Sequence, residues 1–126
     1  LGDAGAHVGQ IMDSGWPSFL LAHWVRDEQR LSLAQAVHRM TARAARVLGL
    51  TDRGLLNPGY KADINVFDPS AVEERVPTVE TDFPHDNSRL VQRAVGYKAT
   101  LVNGQVILRD DEHTGARAGQ VIRSQY

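Results

Sequence analysis

The residues of this chain able to do chemistry are few and widely spaced. Leu1-Gly2-Asp3-Ala4-Gly5-Ala6-His7 reads as a strand end, an aspartate and then a glycine-rich turn. Asp3 in that setting predicts a carboxylate delivered by a strand lying upstream, as in a piece of a larger enzyme. Taken alone, such an aspartate is more often a turn or capping residue. The histidines are His7, His23, His38, His85 and His113, no two fewer than 15 residues apart. No H-x-H pair and no helical i, i+4 pair exists, so local metal-ligand spacing is missing. There are no cysteines, which excludes disulfides, thiolate metal sites and a cysteine nucleophile within the chain. His7 reads equally as a residue lining a site mouth and as a loop histidine bonded to backbone.

The elements that must position these residues begin with a glycine-rich loop over 1–15. Trp16-Pro17 opens an apolar helix running to Val25, since proline suits the first turn. Its Trp16, Phe19, Leu20 and Trp24 predict packing against neighbouring helices rather than a ligand pocket. Arg26 to Arg30 reads as a polar break. Ser32 and Gln35 form a capping box, and apolar residues at Leu33, Val37, Met40, Ala44, Val47 and Leu48 follow helical spacing. Arg39, Arg43 and Arg46 occupy the solvated faces, and Gly49 is placed as a left-handed terminator.

Beyond Thr51 the texture changes. Asn57-Pro58-Gly59 marks a turn, 62–67 a strand, and Asp68-Pro69 its end. Residues 70–95, with Pro77 and Pro84, read as irregular. Ala99 to Val102, Asn103-Gly104 and Gln105 to Leu108 read as a hairpin, because Asn-Gly favours a type I′ turn. A tail follows, with a short strand expected at Val121-Ile122. Helices followed by strands predict an α+β fold: two N-terminal helices, then a small antiparallel β unit.

Composition narrows the function. The 126 residues are 42% hydrophobic and 23% charged, ordinary for a globular protein. Fourteen basic against 15 acidic residues give a net charge of −1, which argues against nucleic acid as a partner. No apolar run approaches the roughly 18 residues of a membrane span, and a chain without cysteine suits a cytoplasmic setting.

Four ordered stretches together resemble the amidohydrolase superfamily, in its N-acyl-D-amino-acid deacylase (D-aminoacylase) branch. They are Gly2 to His7; the helix from Leu31 to Leu50; Arg53 to Asp68, with its G-x-x-x-P-G-x-x-A-D pattern; and Val102-Asn103-Gly104 with the later Glu112-His113-Thr114-Gly115-Ala116-Arg117. Gly2, Asp111 and Ala118 depart from the residues common there. The resemblance implies that 1–50 is the last segment of a TIM-like barrel and that 51–126 is an accessory β-sandwich domain. It implies a parent hydrolase that cleaves the amide bond of a small-molecule N-acyl-D-amino acid with zinc-activated water, whose pKa zinc lowers to about 7. Asp3 is the implied catalytic residue and metal ligand, and His7 the implied substrate-binding residue. The remaining zinc ligands lie outside the chain, so the chain alone is expected to be inactive and to hold Zn²⁺ poorly. Asp63, in this pattern, is implied to be a structural hydrogen-bond partner. The competing reading is a non-catalytic β-rich module serving assembly or protein interaction. In either case uncovered apolar surface predicts a homo-oligomer.

Overall fold

A computed structural model describes residues 13–122. A short 3₁₀ turn, Asp13–Gly15, leads into helix α1 (Trp16–Phe19), with Pro17 in its first turn. The helix continues without a break as a π-helix, Leu20–Asp27, so the expected polar break begins only after Asp27. The widened turn ends with the Glu28 N–H donating to the His23 carbonyl at 2.8 Å.

Helix α2 (Leu33–Met40) starts at the expected capping box: the Gln35 N–H donates to Ser32 Oγ and the Ser32 N–H to Gln35 Oε1. The helix does not run straight to Gly49. It breaks at Thr41, which sits at φ −115°, ψ −90°, and resumes as α3 (Ala42–Val47). The Thr41 hydroxyl donates to the Val37 carbonyl at 2.7 Å. Such back-bonding competes with the helical ladder and bends it. At the far end Leu50 N–H donates to Ala45 O and Gly49 N–H to Arg46 O, a Schellman termination.

Every strand pairing in the second half is antiparallel, so the α+β expectation holds. Strands β1 (Ile64–Phe67), β6 (Tyr97–Val102), β7 (Gln105–Arg109) and β8 (Glu112–His113) form a four-stranded sheet in the order β1-β6-β7-β8. The β6–β7 turn is Asn103-Gly104, at φ 48° and 79°, the type I′ signature. The β7–β8 turn is Asp110-Asp111, also left-handed at φ 48° and 68°. Asp111 therefore stands where glycine is the easier residue, and short acidic side chains tolerate it.

The segment read as irregular contains strands. Hairpin β3 (Thr78–Phe83) and β4 (Asn87–Val91) closes over a 3₁₀ turn begun by Pro84, and β2 (Glu73–Glu74) pairs with β5 (Ala94–Val95). Along β3 apolar and polar residues do not alternate cleanly, so no buried face announces the strand. Charge pairs hold it instead: Arg89 donates to both carboxylate oxygens of Asp82 at 2.7 and 2.6 Å and covers the Phe83 ring at 5.4 Å. Val121 and Ile122 are not in a strand.

The core is small. Leu21, Ala36 and Val72 are buried together, with Leu20, Val25, Leu33, Met40, Phe67 and Tyr97 packed around them. Gly96 makes the close approach possible: a Cβ there would meet the Val72 backbone nitrogen at 2.6 Å, and its φ is 88°. Trp16, Phe19 and Trp24 lie outside this core, each about 40% exposed.

Candidate functional site

Asp3 and His7 lie outside the described residues. What the structure describes is a seam between the first helix and the β unit. There the segment from Gly15 to Arg26 meets the second half of the chain through polar contacts. Gly15 N–H donates to Gln92 Oε1 at 3.1 Å. Ser18 Oγ meets the Tyr97 hydroxyl at 2.9 Å. Arg26 Nη1 donates to the Val72 carbonyl at 2.8 Å. Ser18 is the buried polar residue of the described set, and its partner lies 79 positions away.

Tyr97 is itself held. Asp111 accepts from the Gly96 and Tyr97 N–H groups at 3.1 and 2.7 Å, so the left-handed turn residue fixes the start of β6. A cleft of about 400 Å³ opens along this seam, lined by Ser14, Gln92, Tyr97, Asp111 and His113 among others. Among the described residues no buried side-chain nitrogen or oxygen lacks a partner.

Asp63 is the structural partner expected of it. Its Oδ2 accepts from Arg53 Nη1 and its Oδ1 from the Asn103 N–H, both at 2.9 Å. One carboxylate thus ties the segment after α3 to the tip of the β6–β7 hairpin. Asn103 passes the tie on by donating from Nδ2 to the Ala118 carbonyl at 2.8 Å. The hexapeptide 112–117 is likewise structural: Thr114 Oγ1 donates to Val106 O, and Gly115 N–H donates to His113 Nδ1 at 2.8 Å.

The other histidines are equally remote from metal chemistry. His23 stacks on Phe19 with ring centroids 4.8 Å apart and meets the Trp24 edge at 4.8 Å. His38 is exposed on α2, and His85 sits in the left-handed tip of the β3–β4 hairpin. Among the described residues no three of His, Cys, Asp and Glu gather where they could hold a metal ion. The donor set described does not fit zinc, which takes three or four ligands.

Electrostatics agree. The Arg53 guanidinium bonded to Asp52 holds that carboxyl below its ordinary range. Hydrogen bonds from the Ser70 hydroxyl and amide do the same to Asp68, and Arg89 to Asp82. The pairing raises Arg89 in turn, and Asp27 raises Arg26. Each of these three carboxylates accepts hydrogen bonds from a neighbouring side chain and serves as a structural acceptor.

Residues 4–108 match the model of the amidohydrolase family. The chain belongs to that family. Among amidohydrolases, an N-acyl-D-aspartate deacylase of Alcaligenes xylosoxydans xylosoxydans is 42% identical over 110 residues, covering 85% of this chain and 20% of the relative. A solved D-aminoacylase, described for the functional role of its binuclear metal centre, superposes with a TM-score of 0.65 at 36% identity, over 83% of this chain and 20% of its own. The N-acyl-D-glutamate deacylase of Bordetella bronchiseptica, solved with zinc and a phosphonate inhibitor, gives 0.64 at 36%, over 85% and 20%. This amidohydrolase chain spans about a fifth of the length of the curated relatives it matches. No described helix is long and apolar enough to cross a membrane.

The seam residues Ser18, Gln92, Tyr97 and Asp111 escape a reading of the sequence because no local spacing links them.

Proposed function

We propose that this chain is the C-terminal part of a metal-dependent amidohydrolase that cleaves the amide bond of N-acyl-D-amino acids. The observation that carries the reading is the 42% identity, over 110 residues, to an N-acyl-D-aspartate deacylase. In this reading 1–50 ends a barrel and 51–126 is its accessory sandwich. Barrel chemistry sits at the C-terminal ends of strands, where a strand-end aspartate followed by a glycine-rich turn belongs. Asp3 takes the proton of the attacking water and hands it to the departing amine, a contribution of roughly 10²–10⁴ in rate. His7 contacts the substrate. The relatives' metal centres are the reason for proposing zinc, and its other ligands come from polypeptide beyond this chain. The isolated chain is then inactive, because in this reading the remaining zinc ligands come from that polypeptide. The setting proposed is cytoplasmic, consistent with a chain free of cysteine.

The test is the complete reading frame. Its product should release D-amino acids, not L-amino acids, from N-acetyl derivatives, and Asp3→Ala should abolish turnover. An active wild type unaffected by Asp3→Ala removes the role given to Asp3; an inactive, metal-loaded wild type removes the reading. A second reading, a non-catalytic module serving assembly or interaction, draws on the apolar side chains exposed after α3. A reading frame without an upstream H-x-H strand would favour it.

A further inference from the structure

The β3–β4 hairpin is a sheet of two strands, separate from the four-stranded one. Two strands alone are marginally stable in water, and a third is needed for a stable unit. The outer edge of β3 is guarded. Pro77 precedes the strand, Pro84 follows it, and an extra residue bulges between Glu80 and Phe83. β4 has no such guard. It contains no proline, and its pairing runs in unbroken register from Val91–Thr78 through Leu90–Val79 to Arg89–Glu80. Among the described residues no strand lies on its far side.

Side-chain placement decides what pairs there. Val79 stands opposite Leu90, so the two share one face of the hairpin, and Val79 is 68% exposed. Glu80 and Arg89 share the other face. Charge on that face is matched internally: Arg89 donates to both Asp82 oxygens, and Arg93 donates to Glu80 at 3.3 Å. An incoming antiparallel strand must keep apolar residues on the apolar face, because a one-residue slip turns every side chain over. β4 itself meets that requirement about a two-fold axis through Leu90. Leu90 then stands opposite the second copy's Leu90, Arg89 opposite its Val91, and Ser88 opposite its Gln92. The neighbouring axes fail on charge. An axis through Arg89 sets two guanidiniums face to face, one through Val91 sets Arg89 against Arg93, and one through Ser88 sets Leu90 against Asp86.

We infer that the outer edge of β4 is a dimerisation edge. Its occupant is β4 of a second copy, paired antiparallel about Leu90 into a four-stranded sheet of order β3-β4-β4-β3. The Val79–Leu90 face then runs unbroken across all four strands. A two-fold pair uses the same edge on both copies and so closes. The sheet ends at β3 on both sides, where Pro77, Pro84 and the bulge oppose further growth. The edge at β1 has no comparable need, since that strand already belongs to a four-stranded sheet. This gives the homo-oligomer expected from the sequence a specific surface, and it does not rest on the enzymatic reading.

The test is mass and cross-linking of the product of the complete reading frame. This chain has no cysteine, and the unmodified protein controls for thiols elsewhere. A cysteine at position 90 lies directly opposite its copy, with Cα atoms about 4.5–5.5 Å apart, within disulfide reach. A cysteine at position 88 lies about 14 Å along the strand from its copy, beyond that reach. Light scattering should give the unmodified protein as a dimer or an even multiple of one. Under mild oxidation Leu90→Cys should form a linked dimer at least roughly tenfold faster than Ser88→Cys. Leu90→Lys, which sets two ammonium groups across the axis, should halve the mass with the circular dichroism spectrum unchanged. A monomeric unmodified protein overturns the inference. So does a dimer that Ser88→Cys links as fast as Leu90→Cys, one that neither links, or one that a folded Leu90→Lys protein retains. Should Leu90→Lys fail to fold, the two cross-linking rates decide. Whether the protein deacylates its substrate has no bearing on these readouts.

Discussion

Replacing Tyr97 with phenylalanine removes one oxygen and leaves the Ser18 hydroxyl without the partner it meets at 2.9 Å. Ser18 is 4% exposed, so water can reach its hydroxyl only by way of the cleft. An orphaned buried hydroxyl costs about 1–3 kcal/mol, and we expect Tyr97→Phe to lose about 2 kcal/mol. Ser18→Ala should cost less, about 1 kcal/mol, because the half-buried phenol it strands can still reach solvent. The double variant removes donor and acceptor together, so it should be more stable than Tyr97→Phe alone. The coupling is expected at about 1–2 kcal/mol, within the range for residues in direct contact. Urea unfolding of the four proteins by circular dichroism measures this, with the slope required to stay constant. In thermal unfolding Tyr97→Phe should lower Tm by roughly 6–10 °C for a chain of this size. Additive effects, or a Tyr97→Phe protein within 0.3 kcal/mol of wild type (about the error on additivity), would refute the claim that this bond fastens the helix to the sheet.

Asp63→Ala should cost about 1–2 kcal/mol, since a partly exposed carboxylate loses both Arg53 and the Asn103 N–H; Asp63→Asn should recover part of it, and neither should change zinc content. Zinc per isolated chain after dialysis should be near zero by elemental analysis, and a value near one would show a site that the described residues do not form. Gly96→Ala should destabilise by more than about 2 kcal/mol, because its φ is 88° and the new Cβ meets Val72 backbone; an unchanged urea midpoint would contradict this. Asp82 has its folded pKa depressed by Arg89, so its pairing stabilises above the unfolded pKa and is lost as pH falls through the folded one. Hydrogen exchange across 78–91 should therefore quicken, relative to the four-stranded sheet, below the ordinary carboxylate range, and Arg89→Gln should abolish that difference.

Local chemistry was legible in the residues themselves. Ser32 and Gln35 are three apart, Asn103 and Gly104 adjacent, and Gly49 follows the last apolar turn. A cap, a type I′ turn and a left-handed stop each depend on a few neighbouring dihedrals, so short spacing suffices to predict them. The role of Asp63 was legible too, through the pattern shared with the family. The β3–β4 hairpin was not, because Asp82 and Arg89 hold it by cross-strand charge rather than by an apolar face. Nor was the break at Thr41, where a single hydroxyl overrides a helical periodicity that continues on both sides.

By itself the sequence determined that helices precede strands, the cap at Ser32, the Asn103-Gly104 turn, the stop at Gly49 and the family to which the chain belongs. Tertiary structure decided which side chains meet across long separations: Ser18 with Tyr97, Arg26 with the Val72 carbonyl, Asp111 with the amides that begin β6. It also decided that the apolar face of the second helix is covered at Leu33 and Met40 and bare at Val47 and Leu48. Periodicity states that a face is apolar, but burial depends on what packs there, and only the arrangement of the whole chain in space supplies that.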